Sequence, residues 1–236
     1  MKILAIDSSG LVASAALLDE ETILAEYTVN YKKTHSQTLL PMVDEIVKMT
    51  QTNLHELDAI AVAAGPGSFT GLRIGSATAK GLGLALNKPL ISVPTLEGIA
   101  YNLFGVDGCI CPMMDARRKQ VYTGIYTFSG GEFQTLVSDR ACPVEEIIEE
   151  CNRLGQKVIF LGDGVPVYRD IIEKNCQVPY EYAPAHLNRQ RAGAVGARAI
   201  VYYKMGKTET AAEHAPVYLR KSQAERELEA KGKTLE

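Results

Sequence analysis

Tryptophan is absent from this chain of 236 residues, and only four histidines and five cysteines occur in it. The histidines are scattered singly, so no H-x-x-x-H pair places two metal ligands on one face of a helix. The cysteines are odd in number and lack the C-x-x-C spacing of zinc sites. We therefore expect buried free thiols, no bound metal and no cofactor.

Long apolar runs and a strong net charge are also missing. No run approaches the ~18 apolar residues of a membrane-spanning helix, and Asp7 interrupts the apolar N-terminal stretch too early for a signal peptide. The formal net charge of −3 gives no bulk attraction to nucleic acid or to acidic membranes. The expected location is therefore the cytoplasm.

Two common catalytic motifs are absent as well. The chain has no G-x-x-x-x-G-K-[ST] loop, which cradles phosphate in P-loop enzymes. Ser68 lies among glycines, but its surroundings do not match the G-x-S-x-G motif of serine hydrolases, and no partner histidine is identifiable. The motifs therefore favour neither a P-loop enzyme nor a peptidase.

The most distinctive stretch runs from Gly65 to Asn87. Its Gly-Pro-Gly start predicts a tight turn, and Ser68 or Thr70 is suited to cap a following helix. We expect that helix over Thr70–Leu86. One of its faces carries a small residue at every fourth position, namely Gly71, Gly75, Ala79 and Gly83.

Glycine inside a helix costs about 1 kcal/mol against alanine, so three interior glycines cost about 3 kcal/mol. A face of small residues offsets such a cost when another element approaches it closely. The sequence leaves two neighbours open for this stripe, a helix of the same chain or a helix of a partner protein.

The first half of the chain predicts the element order βββαβαβα. This order fits a mixed five-stranded sheet with helices on its faces. The strands are expected at residues 3–7, 12–18, 23–29, 57–64 and 89–93, and the helices at 34–50, 70–86 and 95–104.

The second half repeats the pattern of the first. Cys109–Asp115 parallels Ile3–Asp7, because both are apolar strands that end in aspartate. Further strands are expected at 121–128, 132–137 and 157–161, and helices at 143–153, 165–175 and 188–203, with Asn188 as a candidate N-cap. We predict an N-terminal lobe with partner-binding helices (1–105), a degenerate C-terminal copy (106–215), and a C-terminal segment with a charged tail (216–236).

Several segments together resemble the TsaB (YeaZ) family, which has the actin-like ATPase (ribonuclease H-like) fold. They run in order along nearly the whole chain: His35-Ser36 with Leu39-Leu40-Pro41, Gly65–Gly75, Val93–Glu97, Asp115–Arg118 with Val121-Tyr122, and Pro216–Arg220. The resemblance implies an accessory role in making threonylcarbamoyladenosine beside the anticodon of tRNA. It also implies a catalytic paralogue, TsaD, as partner, with the P-loop ATPase TsaE joining the pair.

Departures from the catalytic paralogue imply that this chain is not itself an enzyme. The paralogue's His-Met-Glu-Gly-His metal motif corresponds here to Thr95–Ile99, where both ligand positions are lost. The ATPases of this fold use Asp-x-Gly-Thr turns to hold phosphate. The two turns here read Asp7-Ser8-Ser9-Gly10 and Asp115-Ala116-Arg117-Arg118. The resemblance implies that these are vestigial phosphate turns. The first is expected either to hold an anion or Mg²⁺ still, or only to make turn hydrogen bonds.

Our hypothesis is a scaffold that presents two helices to its catalytic partner. The proposed interface residues are His35, Leu39, Leu40, Val43, Gly71, Leu72, Arg73, Gly75, Ala79 and Glu97. Alone, the same face would form a homodimer, and Gly75→Leu is expected to abolish pairing while leaving the fold intact. The alternative is an ATP-dependent kinase or ATPase with nucleotide near Asp7 and Asp115. The cations at 117–119 either touch tRNA or are merely solvated, so any tRNA contact is expected to be indirect or weak.

Overall fold

The structure is a computed structural model that describes residues 1–31 and 34–220. The expected charged tail at 222–236 lies outside the described residues. The first five strands form one mixed sheet in the order β3-β2-β1-β4-β5, with β1 antiparallel to β2 and parallel to β4. They are β1 (Lys2–Asp7), β2 (Ala13–Asp19), β3 (Ile23–Val29), β4 (Ala59–Gly65) and β5 (Leu90–Pro94).

The helices of the first half are α1 (His35–Thr50), α2 (Phe69–Leu86) and α3 (Thr95–Ala100). The side chain of Ser68 accepts a hydrogen bond from the Gly71 amide and caps α2 as predicted. α1 and α2 pack on the same face of the first sheet, where they bury a shared apolar core. Pro41 lies inside α1.

The second sheet repeats the topology of the first, in the order β10-β9-β6-β7-β8. Its strands are β6 (Cys109–Asp115), β7 (Gln120–Ser129), β8 (Glu132–Pro143), β9 (Val158–Leu161) and β10 (Tyr180–Tyr182). α4 (Val144–Leu154) and α5 (Gly164–Asn175) cover one of its faces. The predicted fold class, two lobes that each contain a mixed five-stranded sheet, is confirmed.

Two element predictions in the second half need correction. β10 was not expected, and α6 (Ala192–Lys204) begins four residues later than the sequence suggests. Asn188 does not cap α6, because its carbonyl accepts a hydrogen bond from Gly162 at 3.0 Å and Arg189 donates to the Gly162 carbonyl at 2.9 Å. The second lobe therefore holds this segment in a non-helical conformation, and Arg191 stands at the N-cap position.

The two halves exchange helices. α6 comes from the second half, but it packs on the first sheet, where Val195 and Ala199 are buried with Ile3 and Ala5. α3 comes from the first half, and its Leu96 and Ile99 are buried with residues of the second sheet. The lobe boundaries at 105/106 and 215/216 stay a proposal, since both sheets need a helix from across that division.

All five cysteines are free, and Cys109, Cys111, Cys142 and Cys151 are buried, as expected. Burial raises the pKa of the Cys109 thiol. Among residues 1–31 and 34–220, no helix is both long enough and apolar enough to cross a membrane.

Candidate functional site

The turn after β1 uses its polar groups internally. Asp7 is buried, and its Oδ1 accepts hydrogen bonds from the Ser9 amide at 2.8 Å and the Ser9 hydroxyl at 2.7 Å. The Ser8 hydroxyl donates to the Gly71 carbonyl at 2.8 Å, and the Ser9 carbonyl accepts from the Ser68 amide at 2.7 Å. An amide already bonded to a carboxylate is not available to phosphate. These contacts favour the turn hydrogen bonds over anion binding.

The other carboxylate oxygen of Asp7 is unusual. Oδ2 is buried and has no hydrogen-bond partner among the described residues. Burial raises the pKa of Asp7 to about 6, although the hydrogen bonds from Ser9 oppose the shift. The charged carboxylate is therefore less favoured in the folded state than it is in water.

The turn after β6 is built in a similar way. Asp115 accepts hydrogen bonds from the Arg117 amide at 2.8 Å and the Tyr168 hydroxyl at 2.7 Å. The Asp115 amide donates to Asp163 at 3.3 Å. Burial raises the pKa of Asp163. In both turns, one carboxylate oxygen of the aspartate thus accepts hydrogen bonds from the protein's own donors.

A cavity of about 560 Å³ separates these two turns. One wall is the first turn of α2 with the loop before it, and the other is the β6–β7 turn. Arg220 reaches in from the C-terminal segment and donates to the Ala116 carbonyl at 2.9 Å. The lining residues are Ser9, Gly10, Leu11, Gly67, Ser68, Phe69, Thr70, Met114, Asp115, Ala116, Arg117, Tyr122, Asp163 and Arg220.

The predicted small-residue stripe of α2 faces inward, which corrects our assignment of it to a partner. A Cβ added at Gly71 would lie 2.0 Å from the Ser8 carbonyl oxygen, and one at Gly75 would lie 2.6 Å from the Ser8 hydroxyl. Ala79 is fully buried. The small residues therefore leave room for the turn after β1 to pack against α2. A leucine at position 75 would disturb the fold itself. Of the remaining proposed interface residues, Leu39, Val43 and Leu72 are also buried in the protein's own core.

The outer face of the α1–α2 pair is a second surface that sequence reasoning missed. On α2 it carries three exposed small residues, Ala77, Gly81 and Ala85, at every fourth position. A Cβ added at Gly81 would meet no atom within 4 Å. On the same helix Leu84 is 72% exposed, and on the neighbouring α1 Leu40 is 54% exposed. We call this set the outer helical face. The sequence feature that could have indicated this face is the second set of small residues in α2, which also recurs at every fourth position.

The other proposed interface residues have contacts within the chain. The imidazole of His35 lies with Nε2 2.8 Å from the Gly10 carbonyl, so it ties the start of α1 to the first turn. Glu97 pairs with Arg198 at 2.7 Å and joins α3 to α6, with its side chain 14% exposed. Arg73 is exposed and donates to the Tyr218 hydroxyl at 3.3 Å. Leu40 and Arg73 are the members of the predicted set that remain well exposed.

The segment Thr95–Ile99 is built for packing. Thr95 is buried and its hydroxyl oxygen accepts a hydrogen bond from the Gly65 amide at 3.1 Å, while Ile99 lies in the core. Within residues 1–31 and 34–220, no three histidine, cysteine or acidic side chains converge as a metal site requires. The absence of a bound metal stays a prediction.

One polar cluster was not foreseen. Ser92 of β5 contacts Glu209 and His214 of the C-terminal segment. The histidine Nδ1 lies 2.8 Å from the Ser92 hydroxyl and 2.9 Å from the Glu209 carboxylate. A catalytic triad uses both ring nitrogens, one for the serine and one for the acid. Here both partners contact Nδ1, and Nε2 is buried without a partner in the described residues. The cluster therefore holds the C-terminal segment against β5 and does not activate the serine.

Two copies of one mixed five-stranded sheet, with a cleft between their first turns, give this chain the actin-like ATPase fold. The chain matches the family model described as TsaD, tRNA N6-adenosine threonylcarbamoyltransferase, over residues 22–228. It is 32% identical over 235 residues to the tRNA threonylcarbamoyladenosine biosynthesis protein TsaB of Escherichia coli, covering 98% of this chain and 100% of that protein. The chain belongs to the TsaB (YeaZ) family.

Further similarities agree with this assignment. TsaB of Bacillus subtilis is 39% identical over 173 residues, which cover 73% of this chain and 76% of that protein. The solved structure of YeaZ from Pseudomonas aeruginosa has a TM-score of 0.78 at 30% identity and covers 92% of this chain and 99% of that one. The family resemblance and the fold drawn from the sequence motifs are confirmed.

Proposed function

We propose that this protein is a non-catalytic subunit for making threonylcarbamoyladenosine on tRNA, and that it supports a TsaD-like transferase by pairing with it. The observation that carries the proposal is the outer helical face, where α2 exposes three small residues and Leu84 beside α1, which exposes Leu40. Small residues let a partner helix approach closely, and apolar burial contributes roughly 25 cal/mol per Å². Equivalent helices of the paralogous partner would complete a four-helix contact.

Gly81 supports a partner in particular. A helical glycine costs about 1 kcal/mol against alanine, and the inward glycines Gly71 and Gly75 are explained by Ser8. Nothing within the described chain explains Gly81, because its Cβ position is open. A partner backbone lying over this position would account for the missing side chain.

The non-catalytic role rests on the vestigial phosphate turns. Asp7 and Asp115 accept hydrogen bonds from the chain's own amides and hydroxyls. The two positions that hold metal-binding histidines in the paralogue's motif are occupied here by Thr95 and Ile99. The chemistry would then belong to the partner, with a TsaE-like P-loop ATPase joining the pair. Without a partner, the outer helical face would pair with its own copy as a C2 dimer, and the working location is the cytoplasm.

Replacing Gly81 by leucine tests the pairing directly. The new side chain has open space in the isolated chain, so Gly81→Leu should leave it folded and stabilise α2 by somewhat less than about 1 kcal/mol. Pairing with the catalytic partner should weaken by at least about 100-fold, because the leucine would occupy the partner's backbone position. Co-purification and calorimetric titration of the two proteins measure this loss.

Two controls make the Gly81→Leu result specific. Gly81→Ala adds only a Cβ and should weaken pairing much less than leucine does. Glu149→Leu adds an exposed leucine to α4, away from the outer helical face, and should pair normally. If Gly81→Leu remains folded and pairs as tightly as the wild type, the proposed interface is wrong.

The alternative function is an ATP-dependent kinase or ATPase. The observation in its favour is the cavity between the two turns, where a nucleotide would bind. Its volume of about 560 Å³ is sufficient for a small-molecule ligand. Calorimetry with ATP and Mg²⁺ on the isolated protein, together with a phosphate-release assay, separates the two functions. Tight binding with turnover would favour the enzyme, whereas the scaffold predicts no turnover.

A further inference from the structure

The β6–β7 turn holds three consecutive cations in a conformation that disfavours them. Arg117, Arg118 and Lys119 have φ values of 61°, 56° and 57°. This left-handed region costs a residue with a Cβ atom roughly 1–2 kcal/mol, and glycine, asparagine and aspartate tolerate it best. Turn geometry therefore does not account for two arginines and a lysine here.

Backbone hydrogen bonds hold the turn firmly while the side chains stay in solvent. The Gln120 amide donates to the Arg117 carbonyl at 3.1 Å, and the Val144 amide donates to the Lys119 carbonyl at 3.3 Å. All three cationic side chains are exposed. In the part of the chain that the structure describes, no carboxylate forms an ion pair with any of them.

A fourth cation lies at the base of the turn. Arg220 donates to the Ala116 carbonyl, and Arg117 and Arg220 both line the cavity opposite the first turn of α2. The carboxylates that face them are Asp115 and Asp163, and each accepts hydrogen bonds from the protein's own donors. The net charge of the whole chain is −3, so this concentration of positive charge is local.

We propose that Arg117, Arg118, Lys119 and Arg220 form a docking surface for the sugar–phosphate backbone of the tRNA substrate. Guanidinium groups bind phosphate oxygens through paired hydrogen bonds, and exposed lysine adds a point charge. Contacts to phosphate position a nucleic acid and carry no sequence information, which suits a subunit that does not perform the chemistry. The inference rests on the proposed function and assigns the weak tRNA contact to one turn.

The position of the surface fits this role. The wall of the cavity opposite the turn includes Phe69 and Thr70 of α2, and the same helix continues into the outer helical face at Ala77 and Gly81. A tRNA held by a partner on that face and extending along α2 would meet this turn. The surface would add a few phosphate contacts to that complex.

The test measures tRNA affinity of the assembled complex against salt concentration, with fluorescently labelled tRNA. The variant Arg117→Asn/Arg118→Asn removes two charges, and asparagine keeps the left-handed turn. We expect about tenfold weaker binding at low salt, and a slope of log K against log salt that is smaller by about 1.5. Arg117→Lys/Arg118→Lys should retain most of both the affinity and the slope.

A matched control removes two exposed cations elsewhere, in Arg153→Asn/Lys174→Asn on α4 and α5, and should change neither quantity. Co-purification with the partner is measured on the same samples, so a failure of pairing is seen separately from a failure of tRNA binding. Unchanged affinity and slope in a variant that still pairs would overturn the inference. So would competition by ATP or inorganic phosphate at matched ionic strength, because the surface would then take small phosphates.

Discussion

A single buried carboxylate, Asp7, gives the protein a stability that depends on pH. Its folded pKa is raised to about 6, whereas the unfolded value is about 3.9. Between these values the folded state holds a proton that the unfolded state has lost. The contribution of Asp7 therefore becomes less favourable as the pH rises from about 4 to about 6, by up to about 3 kcal/mol.

Asp7→Asn removes this titration while keeping an oxygen for the Ser9 donors. The stability difference, variant minus wild type, should grow in the variant's favour between about pH 4 and about pH 7. Urea unfolding of both proteins across that range measures it. Asp139, whose pKa burial also raises to about 6, is present in both proteins and cancels. Parallel stability curves would show that Asp7 is charged in the fold at low pH.

At the scale of one element, α2 should respond with opposite signs to the same substitution on its two faces. Gly71→Ala places a Cβ 2.0 Å from the Ser8 carbonyl oxygen, so we expect a loss of about 1–3 kcal/mol. Gly81→Ala adds a Cβ in open space and should stabilise by about 1 kcal/mol. Chemical denaturation of the isolated variants measures both effects, and equal signs would mean that the orientation of α2 is wrong.

The same helix shows where reasoning from sequence ends. Periodicity and capping residues predict its type and bounds, since both are local properties of the chain. They do not decide which face is inward, because small residues recur every four positions on both, at Gly71 and Gly75 and again at Ala77 and Gly81. That choice depends on Ser8, a residue distant in the chain. Long-range contacts likewise determine the late start of α6, where Asn188 binds Gly162.

For the whole molecule, the duplication predicts two sheets and a cleft, but not all of the residues that line that cleft. Arg220 arrives there because the C-terminal segment returns across the first lobe. The Val217 amide donates to the Ala64 carbonyl at 2.7 Å, and Tyr218 stacks on Phe69 with ring centroids 4.5 Å apart. No local sequence pattern predicts this path of the C-terminal segment. The sequence already points to the cations at 117–119, but that Arg220 joins them could be recognised only in three dimensions.

The exchange of α3 and α6 predicts that the two lobes unfold together. Without α6 the first sheet would expose an apolar face that includes Ile3 and Leu18, and without α3 the second sheet would expose Ile110 and Tyr126. Losing either cover leaves too little buried apolar surface to offset the conformational entropy of an ordered lobe. One cooperative transition is expected.

Because the chain has no tryptophan, a single introduced one reports on one lobe. Tyr27→Trp on β3 and Tyr180→Trp on β10 should give coincident urea transitions, each matching the loss of helical circular dichroism. The fragment 1–105 should lack a cooperative transition of its own, and should gain one when the fragment 106–236 is added. Separate midpoints for the two probes, or a fragment that folds alone, would show that each sheet is stable without the helix it borrows.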